Sequence, residues 1–372
     1  MNFKIRKNVL LDALNDVSKA LSSKNIIPIL SGIKFNLTKE RLELTASDND
    51  ITIKTYIEKS DDLIIERCGN IVIKGKYILD IVRKLDSEFV NIEKLDDSKV
   101  LIYTENSEFN LNGISVSEYP PIDLDLTSDF ITINVNKFKE VINQTNYASS
   151  TDEARAVLTG LNLKTVGDTL ECSATDSYRL ALKKIKLDKK LENDINIIIP
   201  SKNLNELYKL LTDIFDEDIE LHIFNNKIIF KFNNILFQSR LISGNYPNTT
   251  NLIPSDILFD LRVSKREFFN MVDRASILNN DKDNNVITLE IDNNMLKITS
   301  MSLEIGKVEE KLQVTCNDKI KISFSSRYMM DALRTISTED VILSFVGEVK
   351  PILLKEDDND DLIGLILPIR TY

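Results

Sequence analysis

An internal repeat constrains this chain more than any other feature. Three segments with the apolar spacing of a buried helical stripe begin at Asn8 (NVLLDALNDVSKAL), Asn136 (NKFKEVINQTNYA) and Ser264 (SKREFFNMVDRASIL), 128 residues apart each time. In the first, Leu10, Leu14, Val17 and Leu21 fall at i, i+4, i+7 and i+11. Strand-like runs keep the same register and deliver an acid to the head of a turn: Asp48 in LELTASDND, Asp176 in LECSATDSY and Glu304 in LKITSMSLE, again 128 apart. Turn chemistry alone accounts for an acid there. Each copy holds a second short helical segment, KYILDIVRKL from Lys76, KNLNELYKLL from Lys202 and RYMMDALRTI from Arg327. Alternating strands follow, as in IELHIFNNKIIFKF with a turn at Asn225-Asn226.

A period of 128 in 372 residues is far longer than the 20–50 residues of stacked solenoid units, so the copies are whole domains. Six helices among many short antiparallel strands predict an α+β fold with helices packed on one face of sheets. The expected domains are 1–125, 128–254 and 256–372, with connections near Pro120-Pro121 to Ser128 and near Pro254 to Asp256. Hydrophobic residues make up 42%, enough for three cores, and no apolar run is long enough to span a membrane. The N-terminal segment carries acids where a signal peptide has an uninterrupted apolar core. Cys68, Cys172 and Cys316 are odd in number and far apart, which fits reduced thiols in a cytoplasm.

The net charge of −11 argues against a nucleic-acid binder, whose footprint is usually basic. The charge is unevenly spread, however. The six helical windows carry −1, +2, +1, +1, +1 and +1 in chain order, a total of +5 that leaves −16 on the rest. One reading is a basic surface facing phosphates inside an otherwise repelling protein. The other is that Lys and Arg are good helix formers on solvated faces.

A search for chemistry finds none. The sole histidine, His222, sits inside an alternating strand, where a structural role outweighs a triad. One His and three scattered Cys do not make a zinc site. GNIVIKGKY (Gly69–Tyr77) has five residues between its glycines and Tyr77 where a phosphate loop needs Ser or Thr. The acidic run Asp357–Asp361 lacks the glycine and closing Glu of a calcium loop and reads as a solvated hairpin turn. The expectation is a non-enzyme without metal or cofactor.

Several motifs are similar to those of the bacterial DNA polymerase III beta subunit, the sliding-clamp family: IPILSGIKF (Ile27–Phe35), LTASDNDI (Leu44–Ile51), VLTGLNL (Val157–Leu163), SATDSYRLA (Ser173–Ala181), SGNYPNTTNLIP (Ser243–Pro254), YMMDALRTI (Tyr328–Ile336) and LILPIRTY (Leu365–Tyr372). The likeness runs through essentially the whole chain. It implies three tandem clamp domains and a head-to-tail homodimer ring, with helices lining the hole and antiparallel sheets outside. It also implies a function: encircling double-stranded DNA without reading its sequence and keeping the replicative polymerase on it. The alternative is a clamp-fold interaction scaffold that does not encircle DNA.

The same resemblance implies residues. A pocket for short linear motifs of the polymerase, clamp loader and repair proteins would involve Leu158, Thr175, Tyr178, Arg179, Leu180, Pro247, Leu252, Tyr328, Leu365, Leu367, Pro368, Ile369 and Arg370. Leu180 and Leu365 are expected to line an apolar cleft that accepts two aspartates without loss of fold. Tyr178 stands where family members often carry His, and Asn251 where they often carry a basic residue, which bears on peptide preference. DNA-facing candidates are Lys24, Arg83, Arg155, Lys202 and Lys209. Dimer-interface candidates are Lys76, Phe109, Ile277, Leu278 and Glu304.

Overall fold

Among the described residues, six α-helices form where the apolar stripes predict them: α1 (Lys7–Ser18), α2 (Gly75–Lys84), α3 (Val135–Thr145), α4 (Ser201–Leu211), α5 (Lys265–Ser276) and α6 (Ser326–Thr335). They belong to a computed structural model that describes residues 1–22, 27–187, 194–212, 214–278, 285–302, 304–357 and 359–370. Helix α1 buries Leu10, Ala13, Leu14 and Val17, the stripe expected of it, while Leu21 lies past the helix end against Gly75. Helix α5 starts at a capping residue legible in the sequence, since the Ser264 hydroxyl accepts the Glu267 N–H at 3.4 Å.

The described chain divides into two compact units, residues 1–136 with 205–241 and residues 137–204 with 242–372. In the first, all strands join one 13-stranded sheet. Its run crosses between repeats where strand Ile235–Arg240 pairs antiparallel with Ile51–Glu58, from Ile235↔Thr55 to Ser239↔Ile51. Helices α1 and α2 pack on one another, α1 on strands Arg41–Ser47 and Ile51–Glu58 and α2 on strands Gly32–Leu37 and Gly69–Lys74. Phe230 and Phe237 meet edge to face at 6.1 Å and are fully buried.

The second unit holds an eight-stranded and a four-stranded sheet. In the larger one, Arg179–Lys186 pairs antiparallel with Asn359–Ile366, and so joins the middle repeat to the last. Helices α5 and α6 pack together and contribute Phe268, Met271, Val272, Met329 and Leu333 to a core completed by Phe324, Phe345 and Ile352.

The repeat extends to the detail of one turn. The Asp48 carboxylate accepts the N–H groups of Asp50 and Ile51, and the Asp176 carboxylate accepts those of Tyr178 and Arg179. In both, the hydroxyl one residue earlier donates across the turn, Ser47 to the Ile51 carbonyl and Thr175 to the Arg179 carbonyl. Asn49 and Ser177 take left-handed φ of 80° and 79°. Glu304 also lies in a turn, between strands Met295–Ser302 and Gly306–Gln313.

His222 is structural, as expected. It is buried, its Nδ1 lies 3.1 Å from the Thr127 carbonyl and its Nε2 3.0 Å from Glu220. The glycine-rich segment is a strand, Gly69–Lys74, that enters α2 directly, with no loop left to wrap a phosphate. The acidic run begins at the tip of a hairpin of strands Ile352–Glu356 and Asn359–Ile366, where Arg262 reaches Asp357 at 2.5 Å. Among the described residues no helix is long and apolar enough to cross a membrane.

The three cysteines are free and differ in surroundings: Cys68 is exposed, Cys172 and Cys316 are buried. Burial pushes the Cys172 thiol up to about 12, so thiolate is scarce there near neutrality. Brief iodoacetamide treatment of the native protein at about pH 8 is expected to modify Cys68 and spare the other two, as read by peptide mass spectrometry. Equal labelling of Cys172 would count against this core.

Candidate partner-docking site

The residues expected to form a pocket come from five places in the second unit, Leu158 from the turn Glu153–Thr159 and the rest from the four segments below. Strand pairing sets Arg179 opposite Ile366 and Leu180 opposite Leu365. The tail continues beyond that strand with the Leu367 N–H donating to the Tyr178 carbonyl at 2.9 Å and the Ile369 N–H to the Ser323 carbonyl at 2.7 Å. A third segment closes in through Tyr246, whose hydroxyl accepts the Thr175 N–H at 3.0 Å. Helix α6 supplies Tyr328.

Exposure sorts the set into floor and rim. Leu158, Thr175, Arg179, Leu180 and Leu365 are buried, and Leu180 and Leu365 pack with Leu353 into a small cluster backed by Ile253, Ile257 and Ile363. Tyr328, Pro368 and Ile369 are half-buried, while Tyr178, Pro247, Leu252, Leu367 and Arg370 are exposed. Tyr178 at 62%, Leu252 at 51% and Leu367 at 37% leave far more apolar surface in water than a lone surface residue would. The floor corrects one expectation. Leu180 and Leu365 face each other across the sheet at 1% and 4% exposure, so paired aspartates there would bury two like charges in the junction and break it.

Arg179 is the electrostatic centre of this region. Its guanidinium donates to Asp176 at 2.9 Å and to Asp331 at 2.7 Å. It also lies 4.5 Å from the Tyr328 ring centroid and 5.4 Å from that of Tyr147. Two carboxylates and two rings satisfy a cation whose side chain is only 9% exposed. Burial raises the Tyr328 phenol above its usual range, and Tyr147 higher still, so both rings stay neutral partners of the cation. Asp331 carries a second bond, from Arg334 at 3.0 Å. Sequence reasoning missed Asp331, Tyr147 and Tyr246. Asp331 stands three residues after Tyr328 on α6, the helical spacing that puts two side chains on one face, and that signal was available.

The remaining candidates lie elsewhere. Arg83 on α2 and Lys202 and Lys209 on α4 are exposed, and Lys209 pairs with Glu206 at 2.7 Å. Arg155 is exposed in an irregular turn and donates to the Ser177 hydroxyl, beside the docking turn. Lys24 lies outside the described residues. Phe109 sits on strand Glu108–Ile114, which pairs fully with Lys99–Tyr103 but on its other side meets Val72 and Ile73 only through Ile114 and Gly113. Residues 108–112 therefore present an open strand edge among the described residues. Strand Gly306–Gln313, next to Glu304, is the terminal strand of its sheet. Ile277 is 73% exposed, Leu278 is half-buried, and Lys76 and Glu304 are exposed.

Removing the Asp331 carboxylate leaves a buried guanidinium with Asp176 as its one anionic partner. Breaking a buried pair costs roughly 3–5 kcal/mol, and the 23% exposure of Asp331 lowers that to about 2–3. Urea denaturation of Asp331→Ala is expected to show that loss in the transition of the second unit. Asp331→Glu should restore only part of it, because the longer arm cannot keep the present contact without displacing the guanidinium. A change below about 0.5 kcal/mol for Asp331→Ala, the level of an ordinary surface substitution, would mean that the pair is not what holds Arg179.

Comparison with known proteins agrees with this geometry. Models of the DNA polymerase III beta subunit match along the chain, the N-terminal domain at residues 1–123, the central domain at 132–248 and the C-terminal domain at 250–370. The beta sliding clamp of Staphylococcus epidermidis RP62A is 41% identical, with 100% of both chains covered, and that of Staphylococcus aureus N315 is 40% identical with the same coverage. The crystal structure of the DNA polymerase sliding clamp from Bacillus subtilis matches with a TM-score of 0.96 at 39% identity, covering 100% of both chains. That of the beta subunit from Streptococcus pyogenes matches with a TM-score of 0.95 at 30% identity, again over 100% of both. With three tandem domain matches and full-length relatives at this identity, the chain belongs to the DNA polymerase III beta subunit family, the sliding clamps.

Proposed function

We propose that this processivity clamp receives the short peptides of its partners on the surface where the turn 175–180, the tail 365–370 paired with it and the segment 247–252 meet. The observation that carries the reading is an exposed apolar rim, Tyr178, Leu252 and Leu367, set over a buried floor. Such a site offers water-excluding anchor pockets, with exposed Arg370 nearby for orientation and Thr175 and Arg179 fixing the turn beneath. Tyr178 presents a hydroxyl at the lip, and Asn251 an amide, so selection there works through hydrogen bonding and shape. We assign the domains to residues 1–125, 128–254 and 256–372.

Two copies close a ring by pairing open strand edges, residues 108–112 of one with strand Gly306–Gln313 of the other. An unpaired edge favours such pairing, and exposed Phe109, Ile277 and Ile305 supply apolar cover. Lys76 and Glu304 add rim charges worth about 0–1 kcal/mol each. Helices face the duplex, and Arg83, Arg155, Lys202 and Lys209 attract phosphates diffusely without reading bases. Retention is topological and requires no catalysis, and the cytoplasm is the matching compartment.

Two measurements test these assignments. Leu367→Asp places a charge on the rim and spares the junction, so the variant is expected to stay folded while a clamp-binding peptide loses at least 2 kcal/mol, about thirty-fold, by fluorescence anisotropy. Unchanged affinity would misplace the cleft. Ile277→Ala with Leu278→Asp is expected to yield monomers by sedimentation velocity, and an undiminished dimer would reject that edge.

A further inference from the structure

Two segments supply the apolar rim of the docking surface, and they are held in different ways. Leu367 belongs to the tail, which continues a paired strand and is fixed by backbone hydrogen bonds. Leu252 belongs to the segment 243–252, which joins no strand. Between that segment and the sheet lies a polar cavity of about 100 Å³ whose walls include Asn162, Ser173, Tyr246 and Thr249. A segment with polar space behind it is not seated by apolar packing, so its position depends on discrete ties.

Gly244 passes so close to Val157 that a Cβ there would stand 2.6 Å from the valine Cγ1. The Thr249 hydroxyl reaches that of Ser173 at 3.4 Å, a long contact. The tie to the docking turn itself is the Tyr246 hydroxyl, which accepts the Thr175 N–H at 3.0 Å. The ladder between strands Gly160–Val166 and Thr169–Thr175 ends at Asn162↔Ser173, two residues short of Thr175, and the phenol takes the N–H that the ladder leaves over. Burial raises that phenol above its usual range, so it stays a neutral hydroxyl. Thr175 in turn donates its own hydroxyl to the Arg179 carbonyl at 2.6 Å, so the segment is fastened to the residue that closes the turn.

The first junction provides the contrast. It repeats the turn, at Ser47 to Ile51, and the Tyr-Pro pair, at Tyr119-Pro120. Yet Tyr119 is 6% exposed and its hydroxyl has no hydrogen-bond partner. The bond from Tyr246 is therefore not a by-product of the repeated turn; of the two, it occurs at the turn that belongs to the docking surface.

We propose that Tyr246 is a positioning residue for peptide docking, whose bond to the Thr175 N–H holds the segment 247–252, and with it Leu252, at the distance from the turn that a bound peptide requires. The inference rests on the docking surface proposed above and names the residue that sets one side of its rim. Without the bond the segment samples other positions, and a peptide must restore the binding-competent one before Leu252 can serve it.

The probe is fluorescein-labelled Gln-Leu-Ala-Leu-Phe, whose apolar side chains suit the rim, titrated into full-length protein and read by anisotropy. Tyr246→Phe removes one oxygen and keeps the ring. It is expected to weaken binding about fivefold, or ~1 kcal/mol, the net worth of one hydrogen bond. The same change should cost less than about twofold in a Leu252→Ala background and the full fivefold in Leu367→Ala, because only the first anchor hangs on the tie. A phenol with a purely structural role would weaken both backgrounds alike. Amide exchange should quicken over residues 247–252 and stay unchanged in strand Arg179–Lys186, whereas uniformly faster exchange would mark a general loss of structure and overturn the assignment. Unchanged affinity of Tyr246→Phe, or a fivefold cost that persists in Leu252→Ala, overturns it as well. If Leu252→Ala and Leu367→Ala each bind the peptide as wild type does, the docking surface itself is wrong and the role of Tyr246 falls with it.

Discussion

The antiparallel pairing of Arg179–Lys186 with Asn359–Ile366 is the interaction on which the second unit depends. It carries one sheet across two repeats, and the residues of the proposed docking site are suspended from it. The register that sets Leu180 against Leu365 also sets Arg179 against Ile366, and so places the guanidinium beside Asp331. Backbone hydrogen bonds fix the register, but burial selects it, because a slip of one residue would exchange the faces that carry Leu180 and Leu182 and those that carry Arg179 and Lys183.

A second buried connection reinforces this seam. Gln144, at the end of α3, donates to the Thr335 carbonyl at 3.1 Å and lies 3.3 Å from Glu356, which also accepts the Ser337 N–H at 2.7 Å. Gln144 lies far from the cleft in sequence, while Glu356 ends the strand just before the tail. They show how the middle and last repeats are locked by polar groups whose partners are supplied from across the seam, which specifies the junction more narrowly than apolar packing does.

Much of this was legible in the sequence. The 128-residue register exposed the tandem domains, apolar stripes located α1 to α6, and the Asp48 and Asp176 turns were readable as turn chemistry. The cleft residues came from likeness to a family, and their burial did not. Leu180 and Leu365 look like cleft walls in a linear motif, yet each belongs to a core that exists only once strands from different repeats are paired. Tyr147 was missed for the same reason. Asp331 shares a helix face with Tyr328, which the sequence does show, but its cation comes from another repeat, so the partner itself is not readable from α6. The tie from Tyr246 to Thr175 was likewise invisible, since the two become neighbours only in the fold.

The same seam has a consequence in time. On a ribosome, strand Arg179–Lys186 emerges long before Asn359–Ile366, and at roughly 5–20 residues per second the wait is on the order of ten to thirty seconds. Through that interval a nascent chain exposes an unpaired edge, the kind of template on which chains aggregate. The edge strand carries Lys183, Lys184 and Lys186, and charged lysines discourage a foreign strand from adding there. Lys183 is 8% exposed once the sheet closes, opposite Leu362. A residue that looks misplaced in the finished protein thus serves the chain while it is still being made.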